Sequence, residues 1–355
     1  MDVKMSELTI ETALDLDQAK ELLAKTIPMY RKAYSDRTAW LMACFSELAY
    51  MRFNPPFITD RLSKSIEAML LKGGKNDRFI KGALQLALEK FAYDHEEEKR
   101  LLEAQLRIFD AELVATFNAV GSQAILIKTN EFMVLSFRGT ELLELRDIKS
   151  DANAALTNCV TEGRVHSGFH KAFNALELNI NQALQQYADI PLFITGHSLG
   201  GALAAIAAKR ICHAGGNAAC YTFGAPRVSD DRWLMTMKTP IYRVVNSSDG
   251  VTMVPPPDVV VSFFSWCIGF LPAIGGKLKL TMREKFGNYV HGGDMRYLTD
   301  VKLGEYSKAC LLTNVDTWYR LKGWMRKEFT FRKFGADHSI KIYRWKLAYI
   351  ALRRN

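Results

Sequence analysis

The stretch TGHSLGGALA, residues 195–204, follows the apolar run PLFI and opens an alanine-rich segment. It contains Gly196-x-Ser198-x-Gly200, and no other feature constrains the fold as much. A short apolar run reads as a buried strand, and GALAAIAAKRI behind it reads as a helix. The serine therefore occupies a sharp strand-to-helix turn. Such a turn brings the two backbones together, so a Cβ at position 196 or 200 would clash, and Gly201 and Ala202 extend the close packing. The pattern alone arises by chance in roughly one chain in ten of this length. The surroundings have to carry the argument.

Those surroundings alternate. The runs 112–117 (ELVATF), 124–128 (AILIK) and 132–137 (FMVLSF) are β-rich and separated by turn residues, which predicts a meander of strands. Beyond them the pattern predicts a helix over 166–187, a strand over 191–195, a helix over 199–213, and strands over 219–223 and 241–246. Strands alternating with helices imply βαβ units, hence an α/β fold with a mainly parallel central sheet and helices on both faces. Residues 1–109 look helical, as in DRTAWLMACFSELAYMRF at 36–53, and form a predicted extension packed on the segment 110–355 as one structural unit. The segment 299–345 is amphipathic and basic, and its spacing predicts helix.

Composition narrows the function. Hydrophobic content of 48% and charged content of 24% are ordinary for a globular chain. The net charge of +9 fits nucleic acid, an anionic membrane surface or solubility alone. Bases interleaved with aromatics near the C-terminus invite the first reading, but no recognition motif accompanies them, so no nucleic-acid partner is expected. Six cysteines are scattered without a C-x-x-C pair, which argues against zinc and for free thiols. No metal cluster, phosphate-cradling loop or nucleotide fingerprint appears, so no cofactor is expected. The N-terminus has acids where a signal peptide needs bases. The most apolar stretch, 259–274, is too short for a spanning helix and carries Gly269 and Pro272. The expected location is cytoplasmic, or outside the cell by a route independent of a signal peptide, without a transmembrane helix.

A serine hydroxyl is a poor nucleophile unless a base takes its proton and donors stabilise the oxyanion that forms. Ser198 at a helix N-terminus already has a dipole favouring that charge. Further blocks surround it: LSFRGT at 135–140, HSGFHKAF at 166–173, YTFGAPRVSD at 221–230, RVVNSSDGVTMVPPP at 243–257, YVHGG at 289–293 and DHSIKIY at 337–343. Together with the serine turn they resemble, in family order over about residues 110–345, the class 3 (fungal-lipase-like) branch of the α/β-hydrolases.

The resemblance implies a serine lipase or carboxylesterase that forms an acyl-enzyme at Ser198. In that superfamily the chain order is nucleophile, acid, base. Asp249 follows a strand end and is the expected acid, with Asp258, past three prolines, as runner-up. Two histidines follow the acid: His291, inside the predicted strand YVHGGDMRYL, and His338, at a predicted loop-to-helix junction; chain order does not choose between them, and the resemblance assigns the base to His338. His197 is expected to be structural, beneath the nucleophile, and His166 to support the site. The oxyanion donors would be the backbone N–H groups of Leu199 and Thr140.

Substrate depends on two other segments. The family's lid position falls at 141–156, where Leu142, Leu143 and Leu145 offer an apolar face, although DIKSD at 147–151 departs from the family's D-W-x-x-D. The segment 259–274, with Phe263, Phe264 and Trp266, is either a buried core helix or a flap at the acyl site. Bases follow it at Lys277, Lys279, Arg283 and Lys285, and again from Arg320 to Lys333, suiting an anionic lipid interface. Triacylglycerol or diacylglycerol is the first expected substrate, and phospholipid in anionic membranes the second. A catalytically silent lipid-binding module is the reading from another class.

Overall fold

In the computed structural model the strands Leu192–His197 and Ile241–Asn246 are buried at every position, and Asn217–Phe223 at all but its first. Continuous burial is what a strand needs in the middle of a parallel sheet covered on both faces. The structure describes residues 13–28, 33–51, 94–119, 121–139, 155–247, 249–255, 287–316, 318–320 and 337–354. Among them, an eight-stranded sheet runs in the order β1-β2-β3-β6-β7-β8-β9-β10. These are β1 (Glu112–Ala119), β2 (Ser122–Lys128), β3 (Met133–Phe137), β6 (Leu192–His197), β7 (Asn217–Phe223), β8 (Ile241–Asn246), β9 (Asp294–Leu298) and β10 (Leu311–Thr313). The five from β3 to β9 pair in parallel, while β1, β2 and β10 are antiparallel to their neighbours. A separate hairpin joins β4 (Leu156–Asn158) to β5 (Arg164–His166). This is the α/β-hydrolase arrangement: a meander leading into a parallel sheet with helices on both sides.

Side-chain alternation sorts the sheet into two cores. One face carries Ile194, Cys220 and Ile241 against α4 (Ser167–Leu184) and α5 (Leu199–Arg210). The other carries Phe193, Tyr221 and Val244 against α2 (Asp36–Leu48), α3 (His95–Ile108) and α7 (Ile340–Arg353). Helix α2 is buried from Thr38 to Leu48, as a helix enclosed on all sides must be. Polar contacts also tie it down. Ser46 Oγ lies 2.8 Å from Thr195 Oγ1 on β6, Ser136 on β3 donates to the Phe45 carbonyl at 3.0 Å, and Arg344 on α7 pairs with Glu47 at 2.6 Å. The N-terminal region thus packs directly under the strand that leads into the serine turn.

Two expectations need correction. The segment 299–345 is not a continuous helix: a short 3-10 turn at Tyr306–Lys308 and strand β10 come first, residues 318–320 are helical, and a further described helix starts at Ile340. Leu311, Leu312 and Thr313 pair with Leu298, Tyr297 and Arg296, so the edge of β9 takes residues whose spacing also suits a helix. His291 is not inside a strand either. Val290 makes a single bridge to Ser229, Gly293 adopts a φ of +88°, and β9 begins only at Asp294.

Candidate active site

Strand β6 ends at His197 and α5 begins at Leu199, leaving Ser198 alone in the turn with φ 58° and ψ −128°. A non-glycine residue there is strained by about 1–3 kcal/mol, and such strain persists only where the surroundings impose it. They impose it here. A Cβ at Gly196 would run into the backbone of Gly200, and one at Gly200 into the Phe137 carbonyl. The turn is held by close backbone packing on both sides, and it points the serine side chain out of the strand end.

The chain ends of β8 and α7 complete the site. Asp249 follows β8 and caps the 3-10 turn Gly250–Met253, accepting from the Val251 N–H at 3.0 Å. His338 precedes α7. Its Nδ1 lies 2.9 Å from Asp249 Oδ2, and its Nε2 lies 2.8 Å from Ser198 Oγ. All three groups are buried, at 1% exposure for Ser198 and Asp249 and 3% for His338. A carboxylate only accepts, so Nδ1 donates to it and Nε2 is left to accept from the serine hydroxyl. In that tautomer the imidazole can take the serine proton and return it later.

Several groups around these three were not anticipated. Tyr343, five residues beyond His338, donates to Asp249 Oδ2 at 2.5 Å and accepts from the Asn246 N–H at 3.0 Å. Burial and the adjacent carboxylate push its phenol well up, so it stays a donor. Lys346, buried one turn further along α7, donates to the Asn246 side chain at 2.6 Å, and Asn246 donates to the Asp337 carbonyl at 2.8 Å. The tyrosine lies inside DHSIKIY, and the helical stretch that follows was the available signal for it. Tyr50 gave no such signal. It reaches His197 Nδ1 at 2.8 Å from the end of α2.

The other histidines have separate duties. His197 Nε2 donates to the His338 carbonyl at 2.6 Å, so its Nδ1 accepts from Tyr50. It holds the backbone of His338, and its own ring bonds go to that carbonyl and to Tyr50. His291 donates to the Thr252 carbonyl at 2.6 Å and lies away from the Ser198 hydroxyl's contacts. His166 caps α4, accepting from the N–H groups of Gly168 and Phe169.

The accepting roles of His197 Nδ1 and His166 Nδ1 need neutral rings, whereas either form of His291 can donate to a carbonyl. Burial, then the neighbouring His338, holds His197 well below the usual histidine range. Burial followed by Arg243 and Arg227 does the same to His291, and burial takes His166 down to about 4. In the unfolded chain each ring titrates near 6.5. Below that pH the unfolded state binds more protons, so stability falls as pH drops through the unfolded value, by up to ~1.4 kcal/mol per pH unit for each ring. Urea midpoints are expected to fall steeply between about pH 6.5 and 5, with a shallower slope for His197→Gln. Equal midpoints across that window would contradict this account of the three rings.

The oxyanion candidates are only half visible. Leu199 is the first residue of α5, where N–H groups have no partner within the helix. Thr140 lies outside the described residues, although Gly139 before it packs against the turn: a Cβ there would sit 3.2 Å from Ser198 Cβ. Leu142, Leu143, Leu145, Asp258, Phe263, Phe264, Trp266 and the bases at 277–285 and 322–333 also lie outside the described residues. Arg320 is described, and it is not at the surface. It is 5% exposed and donates to Thr252 Oγ1. The five described cysteines are free thiols. No described helix is long and apolar enough to cross a membrane.

A serine in a strained turn between strand and helix, hydrogen-bonded to a histidine that precedes α7 and through it to an aspartate that follows β8, defines a site of the α/β-hydrolase type. Residues 134–259 match the family described as lipase (class 3). Among curated proteins it is similar to a secreted mono- and diacylglycerol lipase of Fusarium solani, with 31% identity over 164 residues, covering 44% of this chain and 49% of that protein. It is also similar to a chloroplastic phospholipase A(1) of Arabidopsis thaliana, 36% identical over 149 residues, covering 35% of this chain and 33% of the relative. The chain spans half or less of the length of these relatives. A solved structure of the Rhizomucor miehei lipase propeptide complex aligns with a TM-score of 0.47 at 17% identity, over 80% of this chain and 82% of that one.

Proposed function

We propose that the protein is a serine ester hydrolase acting on acyl esters of glycerolipids. Ser198 serves as nucleophile, His338 as general base and then acid, and Asp249 as the group that orients and stabilises the imidazolium. The observation that carries this reading is the unbroken relay Ser198 Oγ, His338, Asp249 at 2.8 and 2.9 Å on the strained turn. In the first half-reaction Ser198 Oγ attacks the ester carbonyl as its proton passes to His338 Nε2. The tetrahedral intermediate collapses as that proton passes to the leaving alcohol. Water then attacks the acyl-enzyme by the same route and releases the fatty acid. The N–H of Leu199 and that of Thr140 are the proposed oxyanion donors, and Leu142, Leu143, Leu145, Phe263, Phe264 and Trp266 the proposed lid and acyl-site contacts. The N-terminal region belongs to the same working unit, because Tyr50 orders His197 and His197 holds the base.

The first proposed substrate is a mono-, di- or triacylglycerol, supported by the Fusarium solani relative. Phospholipid is the second, supported by the net charge of +9 and by the Arabidopsis thaliana relative. Fatty-acid release from glyceride emulsions and from anionic and neutral liposomes separates them. Faster release from glycerides than from either liposome is expected. The reverse order would replace the glyceride assignment with the phospholipase one, and no release from either would remove both.

A further inference from the structure

We propose that the small cavity behind the serine turn is a binding site for one buried monatomic anion of chloride size. The cavity lies on the α5 side of the sheet, among α5, strands β7 and β8, and α6 (Asp231–Met235). Gly201, three residues after Ser198, forms part of its wall. Its free space is about 20 Å³, room for one water-sized particle and too little for a carboxylate or phosphate.

The chemistry of its wall is one-sided. Arg243 and Trp233 line it together with Thr222, Ser229 and His291, and no residue with a carboxylate does. Nε and Nη1 of Arg243 and Nε1 of Trp233 are all buried without a hydrogen-bond partner. Arg243 is 8% exposed and Trp233 fully buried, so solvent does not supply what is missing. Unmet buried donors are costly, and an unpaired buried guanidinium more so.

Two further cations act on Arg243, although the Asp249 carboxylate in turn acts on one of them, Arg320. Arg227 and Arg320 are buried nearby, at 6% and 5% exposure, with hydrogen bonds to the Met253 and Pro255 carbonyls and to Thr252 Oγ1. All these partners are neutral acceptors. Burial, then Arg320 and Arg227, lowers the Arg243 guanidinium to about 9. A water would meet the donors while leaving the charge uncompensated. A halide accepts from several donors at once and also neutralises it.

The test is thermal unfolding of the full chain in sodium chloride or bromide against sodium gluconate at matched ionic strength, since gluconate is far too large for the cavity. Halide is expected to raise the midpoint by about 2 °C and to saturate as a single site does. Trp233→Phe, which keeps the ring and removes the donor, should flatten the response, as should Arg243→Met. Crystals soaked in bromide should show an anomalous peak within hydrogen-bond reach of Arg243 and Trp233. That peak is read on the wild type, so it stands even where a substitution fails to fold. Indistinguishable halide and gluconate midpoints, a halide response that survives both substitutions, or no bromide peak in the cavity would each overturn the proposal.

Discussion

Ser198→Ala is expected to lower ester turnover on the order of 10⁵-fold while leaving the thermal midpoint equal to or above that of the wild type. The turnover loss follows from the chemistry. Without Oγ no acyl-enzyme forms, and His338 can only activate a water held in place of the missing hydroxyl. Removing the nucleophile of such a relay costs about as much as removing the whole relay, leaving only what the oxyanion donors and substrate binding supply. The stability side follows from the structure. Ser198 holds its turn at φ 58° through the backbone packing of Gly196 and Gly200, not through its side chain, which has the His338 ring as its hydrogen-bond partner. Parallel measurements of kcat on a soluble ester and of the unfolding midpoint check both halves. A variant that retains a tenth of wild-type turnover would refute Ser198 as nucleophile.

Asp249→Asn is expected to lower kcat by about 10⁴-fold with little change in KM. The substitution keeps the shape of the side chain, and with the amide oxygen on the Oδ1 side it keeps the Val251 N–H contact. It changes what the side chain offers at the other oxygen, which accepts from both His338 Nδ1 and Tyr343. Tyr343 can only donate there, because Asn246 N–H already occupies its oxygen. An amide turned to face His338 with its NH₂ would reverse the bond, moving the ring proton to Nε2. That tautomer cannot accept from Ser198. An amide turned the other way keeps the tautomer but gives up the charge that stabilises the imidazolium. Either orientation predicts a kcat effect, whereas a binding role for Asp249 predicts a KM effect. Steady-state kinetics on one soluble ester distinguishes the two.

The parts of this account legible in the sequence are those that depend on neighbours in the chain. The turn at 196–200 could be read because a strand, a serine and two glycines are contiguous, and β8 could be placed to the residue at 241–246. The strands from β1 to β3 were legible for the same reason. Long-range contacts were not. Nothing near Tyr50 indicates that it meets a histidine 147 positions away, and nothing near Arg344 indicates Glu47. The choice between His291 and His338 is similar. Both follow the acid, and only the packing of α7 against the sheet brings the second to Asp249 while leaving the first on the Thr252 carbonyl.

The apolar spacing of the region after β9 suits a helix as well as an edge strand. The open edge of β9 decided for the strand. The sequence around Arg320 suits a surface base, because burial of a charge depends on what folds over it, here the turn at Gly250–Met253 through Thr252.

The most direct test of Ser198 as the acylated nucleophile is labelling of the whole protein with a fluorophosphonate probe, followed by peptide mass spectrometry. The account predicts one adduct per chain, located on Ser198, absent from Ser198→Ala and formed far more slowly by His338→Ala than by His291→Ala. An adduct on another residue, or equal labelling of wild type and Ser198→Ala, would contradict it.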